Sequence, residues 1–95
     1  MSTDKDYKNF ILEQLDLIED IACRHMMGEY LLYCRGKIFG GIYDNRLLVK
    51  ITDEGKKLKL KEEIPYSGAK PMYFVENIDD KEYLKIVVET VYNSL

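Results

Sequence analysis

Cysteine, histidine and long apolar runs are all scarce in this sequence, and each scarcity excludes a class of protein. Its two cysteines, Cys23 and Cys34, are too few for a disulfide framework. No run reaches the roughly 18 apolar residues of a transmembrane helix, so no membrane association is expected. The polar start over residues 1–9 lacks the basic beginning and the apolar region of a secretory signal. We therefore expect a cytoplasmic protein whose thiols are reduced.

The charge balance argues against a nucleic-acid-binding protein. The chain has 14 basic and 17 acidic residues, a net charge of −3, so no overall field attracts DNA or an anionic membrane. Four lysines do cluster over residues 56–61, but acidic residues bracket them and no aromatic residue lies between them. A solvated face is favoured for this run over direct DNA contact. No direct nucleic-acid partner is predicted.

The length of 95 residues predicts a single domain over residues 1–95. Apolar residues at helical spacing predict an N-terminal helix that begins near a capping box of Thr3 and Asp6, with Ser2 or Asp4 as alternative caps, and ends near Asp20. A second amphipathic helix is predicted from Asp79 or Asp80 to about Ser94. A strand is predicted over residues 70–75, at a sheet edge or with Pro71 at its end. Residues 51–64 are ambiguous, with a short helix as one reading.

The stretch between Met26 and Ile51 predicts three strands joined by two tight turns. Arg35-Gly36 and Asp44-Asn45 are turn sequences because Gly, Asn and Asp tolerate positive φ. Two-residue turns imply the pairs Cys34 with Lys37, Leu32 with Phe39, Tyr30 with Gly41, Gly41 with Leu48, and Phe39 with Lys50. Gly40-Gly41 inside a strand indicates a bulge or room for a packing helix rather than a ligand. With the two helices, this predicts a two-layer α+β fold, an antiparallel β-meander packed against N- and C-terminal helices.

This register assigns the strand residues to two faces, because directly opposed residues share a face. The aliphatic face is predicted to be the core: Leu31, Tyr33, Ile38, Gly40, Ile42, Leu47, Val49 and Ile51. The other, mixed face is Tyr30, Leu32, Cys34, Lys37, Phe39, Gly41, Tyr43, Arg46, Leu48 and Lys50. A one-residue slip in either turn would exchange the faces.

The mixed face has the aromatic and basic composition of a protein interface. We predict a protein-binding site there, with a protein partner or a second copy of the chain bound through Tyr30, Phe39, Tyr43, Arg46, Leu48 and Lys50. The alternative is that a loop or helix covers this face and makes a second small core.

A thiol or metal function is the alternative class. A strand over residues 21–27 that turned at Gly28-Glu29 would place Cys23 opposite Cys34 and His25 opposite Leu32. Cys23, His25 and Cys34 would then be three candidate zinc ligands, or the two thiols a redox pair. The spacing matches no metal motif, so incidental thiols are favoured. No metal, cofactor or catalytic residue is predicted.

The same stretch carries a family resemblance. Arg24-x-Met26-Met27-Gly28, then Leu32-Tyr33-x-x-Gly36-x-x-Phe39, then Leu47-x-x-Lys50 resembles the signature of the TfoX N-terminal domain family. The resemblance spans essentially the whole chain and implies a non-enzymatic α+β domain. In some members, it implies the N-terminal half of a competence regulator that acts with a transcription regulator. The helical second module of those regulators does not follow within the sequence.

Overall fold

A computed structural model describes residues 2–95, which form one antiparallel sheet with two helices on one side. Its six strands lie in the order β1-β2-β3-β4-β6-β5. The elements are α1 (Lys5–Gln14), β1 (Ile21–Met26), β2 (Glu29–Cys34), β3 (Lys37–Ile42), β4 (Leu47–Val49), a 3₁₀ turn (Gly55–Leu58), β5 (Lys61–Glu63), β6 (Met72–Val75) and α2 (Lys81–Tyr92). The predicted two-layer α+β fold is confirmed.

Both helices bury their apolar stripes on one face of the sheet, which we call the helix side. The helix residues that are at most 1% exposed are Ile11, Leu15, Leu84, Val87, Val88 and Val91. The sheet residues packed among them are Leu32, Cys34, Phe39, Ile42, Leu47, Val49, Tyr73 and Val75. Each fully buried aliphatic or aromatic side chain stabilises the fold by about 1.5–3 kcal/mol. This single core holds the two layers together.

The helix termini follow the prediction only in part. The Asp80 side chain accepts a hydrogen bond from the backbone N–H of Tyr83 at 3.1 Å and caps α2, as expected. The predicted capping box at Thr3 is wrong, because the Thr3 hydroxyl donates to Glu29 Oε1 at 2.7 Å instead. Helix α1 also ends at Gln14, earlier than predicted. The Gln14 side chain donates to the carbonyl of Ile78 at 3.0 Å, which fixes this end of the helix beside α2.

Three tight turns join the first four strands. Met27-Gly28, Arg35-Gly36 and Asp44-Asn45 all have positive φ at both residues, the backbone of a type I′ hairpin turn. The two turns predicted from sequence are therefore confirmed. The pair Cys34–Lys37 beside the second turn and the pair Gly41–Leu48 near the third are also as predicted. The predicted β3–β4 register is confirmed, including Phe39 with Lys50, whose N–H donates to the Phe39 carbonyl at 2.8 Å.

A bulge in β3 overturns only the predicted β2–β3 pairs that lie beyond it. Tyr33 pairs with Ile38, but Leu32 pairs with Gly40, so Phe39 is the extra residue. The predicted pairs of Leu32 with Phe39 and of Tyr30 with Gly41 are wrong. A bulge changes which face the residues on one side of it occupy.

The bulge consequently exchanges the predicted faces of the residues that precede it in the chain, which are all of β2 and the start of β3. Beyond it, Ile42, Leu47 and Val49 lie in the core as predicted. Before it, the predicted core residues Leu31, Tyr33 and Ile38 lie on the opposite face and are half-buried. Members of the predicted mixed face take their place in the core, namely Leu32, Cys34 and Phe39.

The two edges of the sheet differ in length and charge. Edge strand β1 has six residues, whereas edge strand β5 has three, all of them charged. Strand β5 was not predicted, and it makes β6 an interior strand rather than an edge. Pro71 costs no ladder bond there because β6 begins after it, at Met72. Among residues 2–95, none of the helices is long and apolar enough to span a bilayer.

Candidate functional site

The face of the sheet opposite the helices, which we call the open side, is only partly covered. Leu31, Gly41, Leu48 and Phe74 lie in one row across four strands of this face. Leu48 has no exposed surface, although it is not a member of the helix-side core. The segment 64–71, which we call the covering loop, is held at this face by hydrogen bonds from Arg46, directly before β4. The open side is thus closed over β4 and uncovered toward β2.

Arg46 fixes the covering loop to the sheet. Its guanidinium pairs with Glu63 Oε1 at 2.7 Å and donates to the carbonyls of Ile64 at 3.3 Å and Pro65 at 3.1 Å. Its Nε also donates to the carbonyl of Tyr43 at 3.2 Å. Only arginine offers this many donors in a fixed planar arrangement. Arg46 therefore positions the loop and is not a free binding residue.

A groove of about 730 Å³ opens between the covering loop and β2 and β3. Its walls are mainly aliphatic and proline side chains, with the rings of Tyr43 and Tyr66. Lys50 and Lys70 also line it, and no carboxylate is among its lining residues. Although the chain is acidic overall, the charge of this groove is positive. The groove suits an apolar ligand segment that carries negative charge.

A second hollow of about 410 Å³ lies on the other side of the two tyrosines. Met26, Met27 and Glu29 line it together with Tyr43 and Tyr66, whose ring centroids are 6.0 Å apart. Burial raises the pKa of Tyr43, with smaller contributions from Tyr66 and Glu29.

Large apolar side chains are exposed around this hollow. Met27 is 95% exposed, Tyr66 is 62% exposed and Met26 is 51% exposed. Met27 occupies a turn position with a φ of 51°, where Asn, Asp or Gly is the usual choice. The side chain of Met27 therefore buries almost no apolar surface in the fold. Methionines of this kind are common on surfaces that adapt to a partner.

The structure divides the six residues predicted to bind a protein. Tyr43, Arg46, Leu48 and Lys50 belong to the open side. The shared face predicted for all six is wrong, because the β3 bulge sends Phe39 into the core, without exposed surface. Tyr30 is half-buried on the helix side, beneath the Lys8 ammonium at 5.4 Å from its ring. Of the six, only Tyr43 and Lys50 line the groove.

Sequence reasoning missed Tyr66, Lys70, Met26 and Met27 as residues of this surface. A signal existed for Tyr66, since an aromatic residue in a Pro-Tyr-Ser-Gly loop has no strand or helix to bury it. No pattern could show that the same loop folds back over β4. That contact depends on the Arg46 hydrogen bonds, which span about twenty residues of chain.

The cysteines and the histidine do not form a common site. Strand β1 turns one residue earlier than expected, so Cys23 pairs with Leu32 and His25 with Tyr30. The predicted pairing of Cys23 with Cys34 is therefore wrong, and both thiols are free. Burial raises the pKa of each thiol, which disfavours the reactive thiolate. Within residues 2–95, no three His, Cys, Asp or Glu side chains are grouped closely enough to hold a metal ion.

The basic run at 56–61 is largely neutralised by neighbouring carboxylates. Lys56 lies 3.6 Å from Asp53, and Lys57 lies 2.7 Å from Glu54. Lys61 also lies 3.8 Å from a carboxylate oxygen of Glu76. These exposed pairs add little stability. They support the interpretation of this run as a solvated face.

Two comparisons relate the chain to known proteins. Residues 13–91 match the family model described as the TfoX N-terminal domain, which confirms the resemblance seen in the sequence. The chain is also 36% identical over 80 residues to an uncharacterized 12.7 kDa protein in the trpE 5′ region of Spirochaeta aurantia. That match covers 82% of this chain and 70% of the relative.

Proposed function

The chain belongs to the TfoX N-terminal domain family, and from that premise we propose that it is a non-enzymatic regulatory module that binds a protein partner. The proposal places the module in the cytoplasm, with a transcription regulator as the kind of partner that the family resemblance implies. The observation that carries it is the apolar, positively charged groove on the open side.

The chemistry of the groove defines the partner segment. An apolar groove with aromatic walls receives the apolar face of a helix or an extended segment. Lys50 and Lys70 at its margin favour acidic residues flanking that apolar face, and no carboxylate of the groove opposes them. Complementary charge increases the association rate and the specificity more than the affinity. The partner segment is therefore amphipathic and acidic.

The exposed Met26, Met27 and Tyr66 extend the binding surface beyond the groove. Tyrosine and methionine are enriched where partners dock. Tyrosine offers a large contact area at small entropic cost, and methionine adapts its shape to the partner. Tyr43 and Tyr66 line both hollows, so a segment longer than the groove would cross them. The thiol and metal alternative gains no comparable support, since Cys23 and Cys34 do not face each other across the strands.

A charge-reversal experiment tests the proposal. Lys50→Glu with Lys70→Glu changes the groove, whereas Lys56→Glu with Lys57→Glu makes the same charge change on the 3₁₀ turn as a matched control. Each form is used as bait in extract of the native cell, followed by chemical cross-linking and mass spectrometry. We expect one protein to be captured by the wild type and by the control but lost with the groove variant.

The cross-links must also reach the groove for the proposal to stand. Links from Lys50 or Lys70 to an acidic, amphipathic segment of the captured protein support it. Equal capture by all three forms, or equal loss with the control and the groove variant, contradicts it. Thermal unfolding of each form shows that lost capture does not reflect lost folding.

A further inference from the structure

The outer edge of β1 is an unused row of backbone hydrogen-bonding groups. Opposed residues in an antiparallel pair alternate between hydrogen-bonded and non-hydrogen-bonded positions. The Arg35 N–H donates to the carbonyl of Asp20 at 3.0 Å, which sets the phase of the β1–β2 ladder. It follows that Ala22, Arg24 and Met26 direct their backbone groups toward β2.

The intervening residues, Ile21, Cys23 and His25, therefore direct their N–H and C=O groups away from the sheet. Among residues 2–95, no other element donates to or accepts from these groups. Proteins usually protect such an edge by shortness, charge or proline. Strand β5 has that protection, with three charged residues, whereas β1 has six residues and a single formal charge, that of Arg24.

We propose that a second copy of this chain docks on β1, so that the two six-stranded sheets join edge to edge about a two-fold axis at Cys23. Antiparallel pairing about this axis places Cys23 opposite Cys23 of the second copy and Ile21 opposite its His25. All three outward-facing residues of each copy then find partners. Registers displaced from this axis leave at least one of them unpaired.

The side chains of β1 are compatible with this two-fold axis. Arg24 falls opposite Ala22 of the second copy, so no like charges are directly opposed, which would be destabilising. Strand β1 is therefore complementary to itself in backbone and in side chains, as the interface of a two-fold dimer must be. A foreign strand would satisfy the same backbone groups, but nothing on this edge selects its sequence.

The dimer edge is separate from the proposed partner groove. The groove residues Lys50 and Lys70 lie beside β4 and the covering loop. Strands β2 and β3 separate β4 from β1. A dimer formed through β1 would accordingly present two grooves. Met26 belongs both to β1 and to the extended binding surface, but the tests are separate, because the groove is tested at Lys50 and Lys70 and the edge at Cys23 and His25.

Proline at position 25 tests the edge directly. The N–H of His25 faces outward, so His25→Pro keeps the β1–β2 bonds while removing one donor at the edge. His25→Ala is the matched control, because it removes the same side chain and keeps the N–H. By light scattering, we expect the wild type and His25→Ala to have twice the 11.2 kDa mass of one chain, and His25→Pro to have half the wild-type mass.

A short bifunctional maleimide gives a second measurement that does not depend on the proline variant. The proposed axis brings the two Cys23 thiols together, whereas Cys34 is buried without exposed surface. We expect the wild type to be cross-linked as a dimer, and Cys23→Ala to have dimeric mass without being cross-linked. A monomeric wild type overturns the proposal. So does a dimer that cannot be cross-linked through Cys23, or one that a folded His25→Pro leaves intact.

Discussion

The helix side and the open side are built from the same strands but are closed to different degrees. On the helix side, α1 and α2 cover the sheet and leave its central residues without exposed surface. On the open side, one loop covers β4, and a groove of about 730 Å³ remains beside it. Two helices thus close one face, while a single loop leaves the other face available for binding.

Because the two faces are closed to different degrees, residues on the helix side of a strand contribute mainly to stability, and residues on the open side are available for binding. Neighbouring residues point to opposite faces, so Phe39 contributes to the core while Ile38 lines the groove. Substitutions on the helix side should therefore change the free energy of unfolding. Substitutions on the uncovered part of the open side should change binding and lower that free energy by less than substitutions in the core.

Phe39→Ala should produce the largest loss of stability. Phe39 is the largest fully buried side chain, and removal of a buried Phe costs about 3–5 kcal/mol. Ile38→Ala is the matched control on the open side, where a half-buried side chain should cost about 1–2 kcal/mol. Urea unfolding of the two variants measures both values. Equal losses would show that the two faces contribute equally to stability.

Gly40→Ala should be the next most destabilising change. A Cβ atom at Gly40 would meet the carbonyl oxygen of Leu48 and lie 2.9 Å from Val49 Cα, and backbone atoms cannot move aside as a flexible side chain can. Such overpacking costs about 1–3 kcal/mol. In Gly36→Asn, no atom crowds the new Cβ and Asn tolerates the positive φ, so its unfolding midpoint should remain near the wild-type value.

The features of the fold that depend on local sequence were predictable, and those that depend on how the strands pair were not. Periodicity identified both helices and their buried stripes, because spacing along a helix is a local property. The turn sequences were equally informative, since positive φ favours few residues. The bulge at Phe39 depends instead on how β2 and β3 pair. Gly40-Gly41 indicated either a bulge or room for a packing helix, without distinguishing the two.

The candidate site was less predictable than the fold. Tyr43 and Lys50 were identified from composition and do line the groove. Phe39 was assigned to the same face on the assumption of regular alternation. The one extra residue of the bulge reverses that alternation, and no local signal in the sequence fixes the position of the bulge. Strand β5, with three charged residues, has no apolar pattern at all. It forms because β6 offers it an open edge.

Arg46→Lys should have a smaller effect, confined to the open side. Lysine cannot reproduce the simultaneous contacts of Arg46 with Glu63 and with the carbonyls of Ile64 and Pro65. Because the site is partly exposed, we expect a loss of about 1–2 kcal/mol. Amide hydrogen exchange should become faster over residues 64–71 while α2 remains protected.

Arg24→Lys is the control for this prediction, because Arg24 is exposed on β1 and makes no ion pair within residues 2–95. It should leave the exchange of the covering loop unchanged. Faster exchange throughout the chain in Arg46→Lys would contradict the view that Arg46 acts only on the loop.

Glu89→Gln should have the smallest effect, and its pH dependence distinguishes the two sides. Glu89 accepts two 3.0 Å hydrogen bonds from Arg35, which tie the β2–β3 turn to α2 at the margin of the helix side. The hydrogen bond with Arg35 lowers the pKa of Glu89 below its ordinary value of 4.5. A lowered carboxyl pKa stabilises the folded protein at pH values above the ordinary pKa of the carboxyl group. This stabilisation disappears as the pH falls through the folded-state pKa.

The wild type should accordingly have a larger free energy of unfolding than Glu89→Gln at pH 7. The two free energies should become equal at pH values well below 4.5. Urea midpoints across this range measure the difference. In an Arg35→Met background, the same Glu89→Gln change should lose most of its pH dependence, because the pairing charge is gone. A difference that is constant with pH would mean that Glu89 acts through packing alone. The helix side would then lack the acid-sensitive Arg35–Glu89 contact that we assign to its margin.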